Sequence, residues 1–184
     1  LNVAAKQRIA AHVAGLIPDG ATLFFSIGTT PAVVAAALAA REGLTVITNN
    51  LNAAMALSEA PGARIVIPGG ELRLPDRDIL GSLAQELFAS YRADFAIYGA
   101  AGIDNDGSLL DFHAPEVRIR RQAQENARHS IFVADSSKFG RRAPAVGGHL
   151  DEADLIVTET NPGAPFATLL ESLGDRLIIA GENT

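Results

Sequence analysis

Short apolar runs alternate with helical segments along this whole sequence, and that alternation restricts the fold more than any single motif. The runs are Leu23–Phe25, Leu44–Ile47, Arg64–Ile67, Asp94–Tyr98, Ser130–Ala134, Asp154–Val157 and Leu177–Ile179. Each is a short apolar run, so each reads as a buried strand. Between them lie segments of helical spacing. Residues 2–16 bring Ile9, Val13 and Leu16 to one face. Further helices are expected over Val33–Ala40, 51–59, about Ile79–Arg92, Pro115 to about Arg128, and Pro165–Leu173. The pattern predicts an α/β fold with a mostly parallel sheet flanked by helices on both faces. No linker, repeat or low-complexity stretch divides the 184 residues, so one domain over 1–184 is expected.

Right-handed crossovers bring the C-terminal ends of such strands to one edge, and ligands of open α/β sheets bind beyond that edge. The polar, glycine-rich clusters fall there. After the first strand comes Ser26-Ile27-Gly28-Thr29-Thr30-Pro31. Gly28 permits close backbone approach, Thr30 is suited to an N-cap, and Pro31 is suited to a first helical position. A helix start with two hydroxyls is an anion cradle, and equally a capped turn. Thr48, Asn49 and Asn50 follow the second strand, where the asparagines suit sugar hydroxyls or cap the next helix. Gly69-Gly70 and Arg73 follow the third, and Gly99, Gly102 and Asp104 follow the fourth. Asp104 fits a sugar hydroxyl or the Asn105-Asp106-Gly107 turn, the turn being preferred. Asp135-Ser136-Ser137-Lys138 follows the fifth, and Lys138 there sets a mobile charge over the cleft. Glu116 suits the first turn of its helix on dipole grounds alone. Arg118, Arg120, Arg121 and Arg128 share that helix and read as a solvated or subunit-contacting face.

Composition narrows the function. The net charge is −6, without a basic block, which argues against this chain itself wrapping nucleic acid. There is no Cys, so thiolate metal sites are excluded, and the four His lack metal-ligand spacing. No metal or cofactor is therefore expected. No apolar stretch approaches the roughly 20 residues a membrane span requires, and a cytoplasmic protein is expected.

In combination the clusters resemble the C-terminal effector-sensing domain of DeoR-family bacterial transcription regulators. Asp19-Gly20, Gly28-Thr29-Thr30, Thr48-Asn49, Gly69-Gly70-Glu71-Leu72-Arg73, Gly81, Asp94, Gly99-x-x-Gly102-Ile103, Glu116 and Asp135-Ser-Ser-Lys138-Phe-Gly140 carry the resemblance, from about Lys6 to Ala180. It implies a fold like that of ribose-5-phosphate isomerase, with a phosphorylated sugar or related metabolite as effector. It also implies an N-terminal helix-turn-helix, absent from this chain, through which alone DNA would be bound. The family often carries Asp two residues before the glycine of Gly-Thr-Thr, where this chain has Ser26. The Pro115-Glu116-Val117 stretch is also looser than the usual Glu-Ala pair.

The residues expected at the effector are thus Ser26, Gly28, Thr29, Thr30, Thr48, Asn49, Asn50, Gly69, Gly70, Arg73, Gly99, Gly102, Asp104, Glu116, Asp135 and Lys138. A homo-oligomer, dimer or tetramer, is expected, because palindromic operators are matched by two-fold symmetry. The alternative is a sugar-phosphate aldose–ketose isomerase on the same fold, with Glu116 as base and Lys138 as electrostatic partner. Against it, the glycine-rich loop of those isomerases is replaced by Ser108-Leu109-Leu110-Asp111.

Overall fold

The computed structural model describes residues 2–181, so Leu1 and residues 182–184 of the expected domain lie outside the described residues. The first half runs α1 (Val3–Ala14), β1 (Thr22–Phe25), α2 (Thr29–Ala37), β2 (Thr45–Thr48), α3 (Leu51–Ala56) and β3 (Arg64–Val66). A hairpin of β4 (Leu72–Arg73) and β5 (Asp78–Ile79) leads to α4 (Ser82–Ala89) and β6 (Ala93–Tyr98). Then come β7 (Gly102–Ile103), β8 (Ser108–Asp111), α5 (Ala114–Glu125), β9 (Ala127–Val133) and a 3-10 turn, Ser136–Lys138. The chain closes with β10 (Ala145–His149), β11 (Leu155–Thr158), α6 (Ala167–Leu173) and β12 (Leu177–Ile179).

The main sheet has seven strands in the order β12-β11-β9-β6-β1-β2-β3, and every pairing in it is parallel. Helices cover both faces, and the alternation within β1 shows how. Leu23 and Phe25 point to the face packed by Ile9 and Val13 of α1, Val34 and Ala35 of α2, and Ala53 of α3. Phe24 points the other way, where Phe88 of α4 meets it edge-on at 5.0 Å beside Ile119 and Ala123 of α5. Successive strand side chains alternate faces, so a fully apolar strand is what a sheet with two covers requires. Each fully buried Leu or Phe contributes about 1.5–3 kcal/mol relative to exposure.

Strand order reverses between β1 and β6. Connections from β1 run out through β2 to β3, and those from β6 run the opposite way through β9 and β11 to β12. A crevice opens at the carboxyl ends where connections diverge. Asp94 secures the other end of this seam, accepting from the Thr22 amide at 2.8 Å.

Three local expectations are corrected. Helix α2 begins at Thr29, and its N-cap is Gly28, not Thr30. Gly28 has φ 120°, which L side chains rarely adopt, and this lets the chain enter the helix earlier. Pro31 still lies in the first turn, where no intrahelical N–H bond is lost. Ile79 belongs to β5 instead of starting α4. Small antiparallel sheets, β4-β5 and β10-β8-β7, supplement the parallel one.

Candidate functional site

A cavity of about 350 Å³ lies at the β1–β6 crevice. Its floor is the β1–α2 loop: Ser26, Gly28, Thr29, Thr30 and Pro31 all line it. The Ser26 amide donates to the Ile97 carbonyl of β6 at 3.0 Å, which holds the loop across the seam. No side chain caps the start of α2, so the helix presents its first amides and partial positive charge uncovered.

The Thr48-Asn49-Asn50 cluster braces this loop from behind. Thr48 Oγ1 donates to the Phe25 carbonyl at 2.7 Å and accepts from the Asn50 amide at 3.0 Å. Asn50 Nδ2 donates to the carbonyls of Ser26 at 3.1 Å and Gly28 at 3.0 Å. Its Oδ1 accepts from the Ala53 amide at 3.2 Å and so caps α3. Asn49 Nδ2 donates to the Ile79 carbonyl at 3.0 Å, tying the hairpin to β2. All three side chains are buried and serve the scaffold, outside the cavity lining.

Carboxylates in the cavity wall are paired with two arginines, Arg73 being shared by Asp76, Asp78 and Glu116. Arg73 grips buried Asp78 with Nε and Nη2, at 2.6 and 2.7 Å. Nη2 also reaches Glu116 Oε2 at 3.3 Å, and the other oxygen of Glu116 accepts from the His113 amide at 2.9 Å. The Asp78 hydrogen bond, aided by Glu116, holds the Arg73 guanidinium above its ordinary proton affinity. Deeper in, Arg120 Nε donates to Asp111 Oδ2 at 3.0 Å and Nη2 to the Gly147 carbonyl at 2.6 Å. Burial pushes the Asp111 carboxyl up, against the pull of Arg120 and the Ala101 amide. Arg120 is 2% exposed and Arg128 lies in β9, beyond the end of α5 at Glu125, so the expectation of one solvated arginine face on this helix fails at these two residues. On the same helix, Arg121 lies 3.9 Å from Glu152, and both side chains are exposed.

Two further lining cations, Lys138 and Arg141, have no carboxylate within ion-pair distance among the described residues. Burial first, then Arg141 and Lys6, pull the Lys138 ammonium below its ordinary value, with Asp135 opposing them. The guanidinium of Arg141 lies 5.8 Å from the Phe112 ring centroid. Lys138 is set by its turn: Asp135 Oδ1 accepts from the Ser137 amide at 3.0 Å and from the Ser137 hydroxyl. Buried Glu159 accepts from the Ser136 amide and hydroxyl.

The structure therefore gathers Ser26, Gly28, Thr29, Thr30, Arg73, Gly99, Glu116 and Lys138 around the cavity. Six other expected residues have structural positions in addition to Asn49 and Asn50. Thr48 and Asp135 hold loops. A Cβ on Gly70 would meet Ile79 at 3.0 Å, while Gly69 faces Leu83 at 3.7 Å. Gly102 leaves room for the Arg141 carbonyl, which a Cβ would strike. Asp104 is exposed in its turn, where Oδ1 accepts from the Asn105 amide at 2.9 Å. Asp78, Asp111, Arg120 and Arg141 line the cavity without having been singled out as ligand residues. The Arg73–Asp78 pair was open to inference, because the two face each other across the hairpin. Among the described residues, no group of His, Asp or Glu is placed to hold a metal ion, and no helix is long and apolar enough to cross a membrane.

The family model for the DeoR C-terminal sensor domain matches residues 1–160. The glycerol-3-phosphate regulon repressor of Escherichia coli (strain K12) is 46% identical over 157 residues, covering 85% of this chain and 62% of the repressor. The HTH-type transcriptional repressor CsqR of the same organism is 33% identical over 178 residues, covering 97% of this chain and 68% of CsqR. Among solved structures, ribose 5-phosphate isomerase A of Methanocaldococcus jannaschii superposes with a TM-score of 0.55 at 18% identity, over 76% of this chain and 55% of the isomerase. That likeness concerns the fold alone. The chain spans about 62% of the length of the E. coli glycerol-3-phosphate regulon repressor.

Proposed function

The chain belongs to the DeoR C-terminal sensor family, and from that premise we propose that its cavity binds a small phosphorylated sugar or polyol. It is a ligand-sensing regulatory domain, and the relatives it matches are transcriptional repressors, not enzymes. In this reading the effector controls DNA binding by a separate helix-turn-helix domain. The protein acts in the cytoplasm as a homo-oligomer.

One observation carries the effector reading. The cavity sets an uncapped helix start and two threonines beside cations that lack acid partners, while its own carboxylates are engaged by arginines. A phosphate supplies the missing charge. Paired carboxylates keep oxygen lone pairs that can accept from hydroxyls. A cavity of about 350 Å³ suits a small metabolite. Glycerol 3-phosphate is the first candidate, since the regulon of a 46% identical relative bears its name. The isomerase alternative is not favoured: both oxygens of Glu116 are engaged, so it is not a free base.

A thermal-shift and calorimetric comparison of glycerol 3-phosphate, hexose phosphates, glycerol and inorganic phosphate tests this reading. A ligand at about 100 times its Kd adds about 2.7 kcal/mol of stability. Replacing Thr29 and Thr30 together with Val should abolish most of the shift. An unchanged shift in that variant refutes the phosphate seat.

A further inference from the structure

We propose that Lys6 of α1 is a phosphate ligand of the effector and that through it the first turns of α1 register whether the cavity is filled. The inference rests on the effector reading above and extends it to a residue outside the cavity lining.

Asn2 is the N-cap of α1 and Lys6 lies one turn on, its amide donating to the Asn2 carbonyl at 3.0 Å. Lys6 Nζ donates to Thr29 Oγ1, the first residue of α2, at 2.8 Å. Asn2 Nδ2 donates to Asp135 Oδ1 and to Ser137 Oγ, each at 3.2 Å, in the turn that carries Lys138. The start of α1 thus bridges the two elements that supply the proposed phosphate seat.

The hold is light. Residues 2–4, 7 and 8 are exposed, while the apolar anchors Ile9 and Val13 are fully buried further along the helix. Segments with few buried contacts open at low free-energy cost, so these polar contacts largely set the position of the first turns.

Lys6 also has a poor partner. It has no carboxylate within ion-pair distance among the described residues, and its acceptor is a neutral hydroxyl. A hydrogen bond is charge-assisted once either partner is ionised, and an ammonium–phosphate contact adds direct ion pairing to that. Lys6 also lies close enough to Lys138 to disfavour its proton, as Arg141 does. A phosphate between Lys6, Lys138 and the start of α2 relieves that repulsion and can accept a hydrogen bond from the Thr29 hydroxyl, whose proton the contact with Lys6 leaves unused. The first turns of α1 would then be fastened by an ion-paired hydrogen bond in place of one to a neutral hydroxyl. A domain attached ahead of α1, as the family resemblance implies, would receive that change directly.

The test combines calorimetry with amide exchange over residues 3–8, using glycerol 3-phosphate and inorganic phosphate as probes and glycerol as the uncharged control. In the unmodified chain, glycerol 3-phosphate should slow exchange over 3–8, and glycerol should not. Lys6→Gln should weaken binding about tenfold to a hundredfold, as expected for loss of a charged hydrogen bond. It should also erase the added protection even at saturating ligand, and Lys6→Arg should restore part of both. If the unmodified chain binds the phosphate probes and Lys6→Gln binds equally well, the Lys6 inference is overturned and the effector reading stands. Weaker binding by Lys6→Gln with no ligand-dependent protection in the unmodified chain overturns the coupling. No binding of any phosphate probe by the unmodified chain overturns both readings.

Discussion

Replacing Asn50 separates the scaffold of the site from its ligand contacts. Asn50→Ala removes two donors, to the Ser26 and Gly28 carbonyls, and the acceptor that caps α3. Loss of an N-cap costs about 1 kcal/mol, and each net hydrogen bond also contributes about 1 kcal/mol. Asn50 is 2% exposed, so water does not readily replace these partners. The expected loss is about 3 kcal/mol, or roughly 6–12 °C in Tm for a domain of this size. Asn50→Asp sharpens the test, because the carboxylate keeps the capping oxygen but turns its second oxygen towards two carbonyls. It should be no more stable than Asn50→Ala at pH 7. It should recover as pH falls, because a protonated carboxyl can donate again. Urea unfolding across pH reads both variants, and calorimetry should show effector affinity falling with the loosened loop. Asn50→Ala within about 0.5 kcal/mol of the parent, or Asn50→Asp more stable than Asn50→Ala at pH 7, would refute the bracing role.

Lys138→Ala should weaken effector binding by about one to two orders of magnitude, with partial recovery in Lys138→Arg. Since burial, Arg141 and Lys6 lower the Lys138 proton affinity and a bound anion raises it, affinity should decline with rising pH below the 10.5 of a free lysine. Calorimetry over pH 6–11 checks this, and a flat profile above pH 8 counts against it. Borohydride treatment with an aldose phosphate should leave the mass unchanged, because the proposed contact is electrostatic. Light scattering of the chain should give a dimer or tetramer, and a monomer at tens of micromolar (order of magnitude) contradicts the expected assembly.

The parallel sheet was legible because its strands are apolar runs with both faces covered, as in Leu23-Phe24-Phe25. The small sheets were not. Gly102–Ile103, Ser108–Asp111 and Ala145–His149 are short and two contain glycine, so no local period marks them; β7 and β8 form a hairpin across the Asn105-Asp106-Gly107 turn, while β10 reaches β8 from a distant segment. In the site, Thr29, Thr30 and Lys138 could be read because they follow core strands directly. Thr48 and Asn50 occupy the same kind of position yet turn inward, since their partners are backbone groups of the neighbouring loop. Position along a strand tells which edge a residue reaches, and only packing decides whether it meets ligand or protein. Arg120 shows the same limit: beside Arg118 and Arg121 in sequence, it is buried because Asp111 and the Gly147 carbonyl receive it.

The reversal of strand order at β1 also shapes how the chain folds. Leu23 pairs with Val46 on one side and with Phe95 on the other, so the second pairing closes a far longer loop than the first. Loop closure must precede the contacts that reward it, and parallel pairings across long separations form slowly. The β1–β6 pairing is therefore expected among the late steps of folding, with β1–β2–β3 as one earlier unit and β6–β9–β11 as another. The cavity straddles that pairing, drawing Ser26 and Thr29 from one unit and Gly99 and Lys138 from the other. It thus comes into being only when the two halves have joined. A ligand bound there secures the last step of assembly, and should slow the unfolding of the whole domain more than it speeds folding.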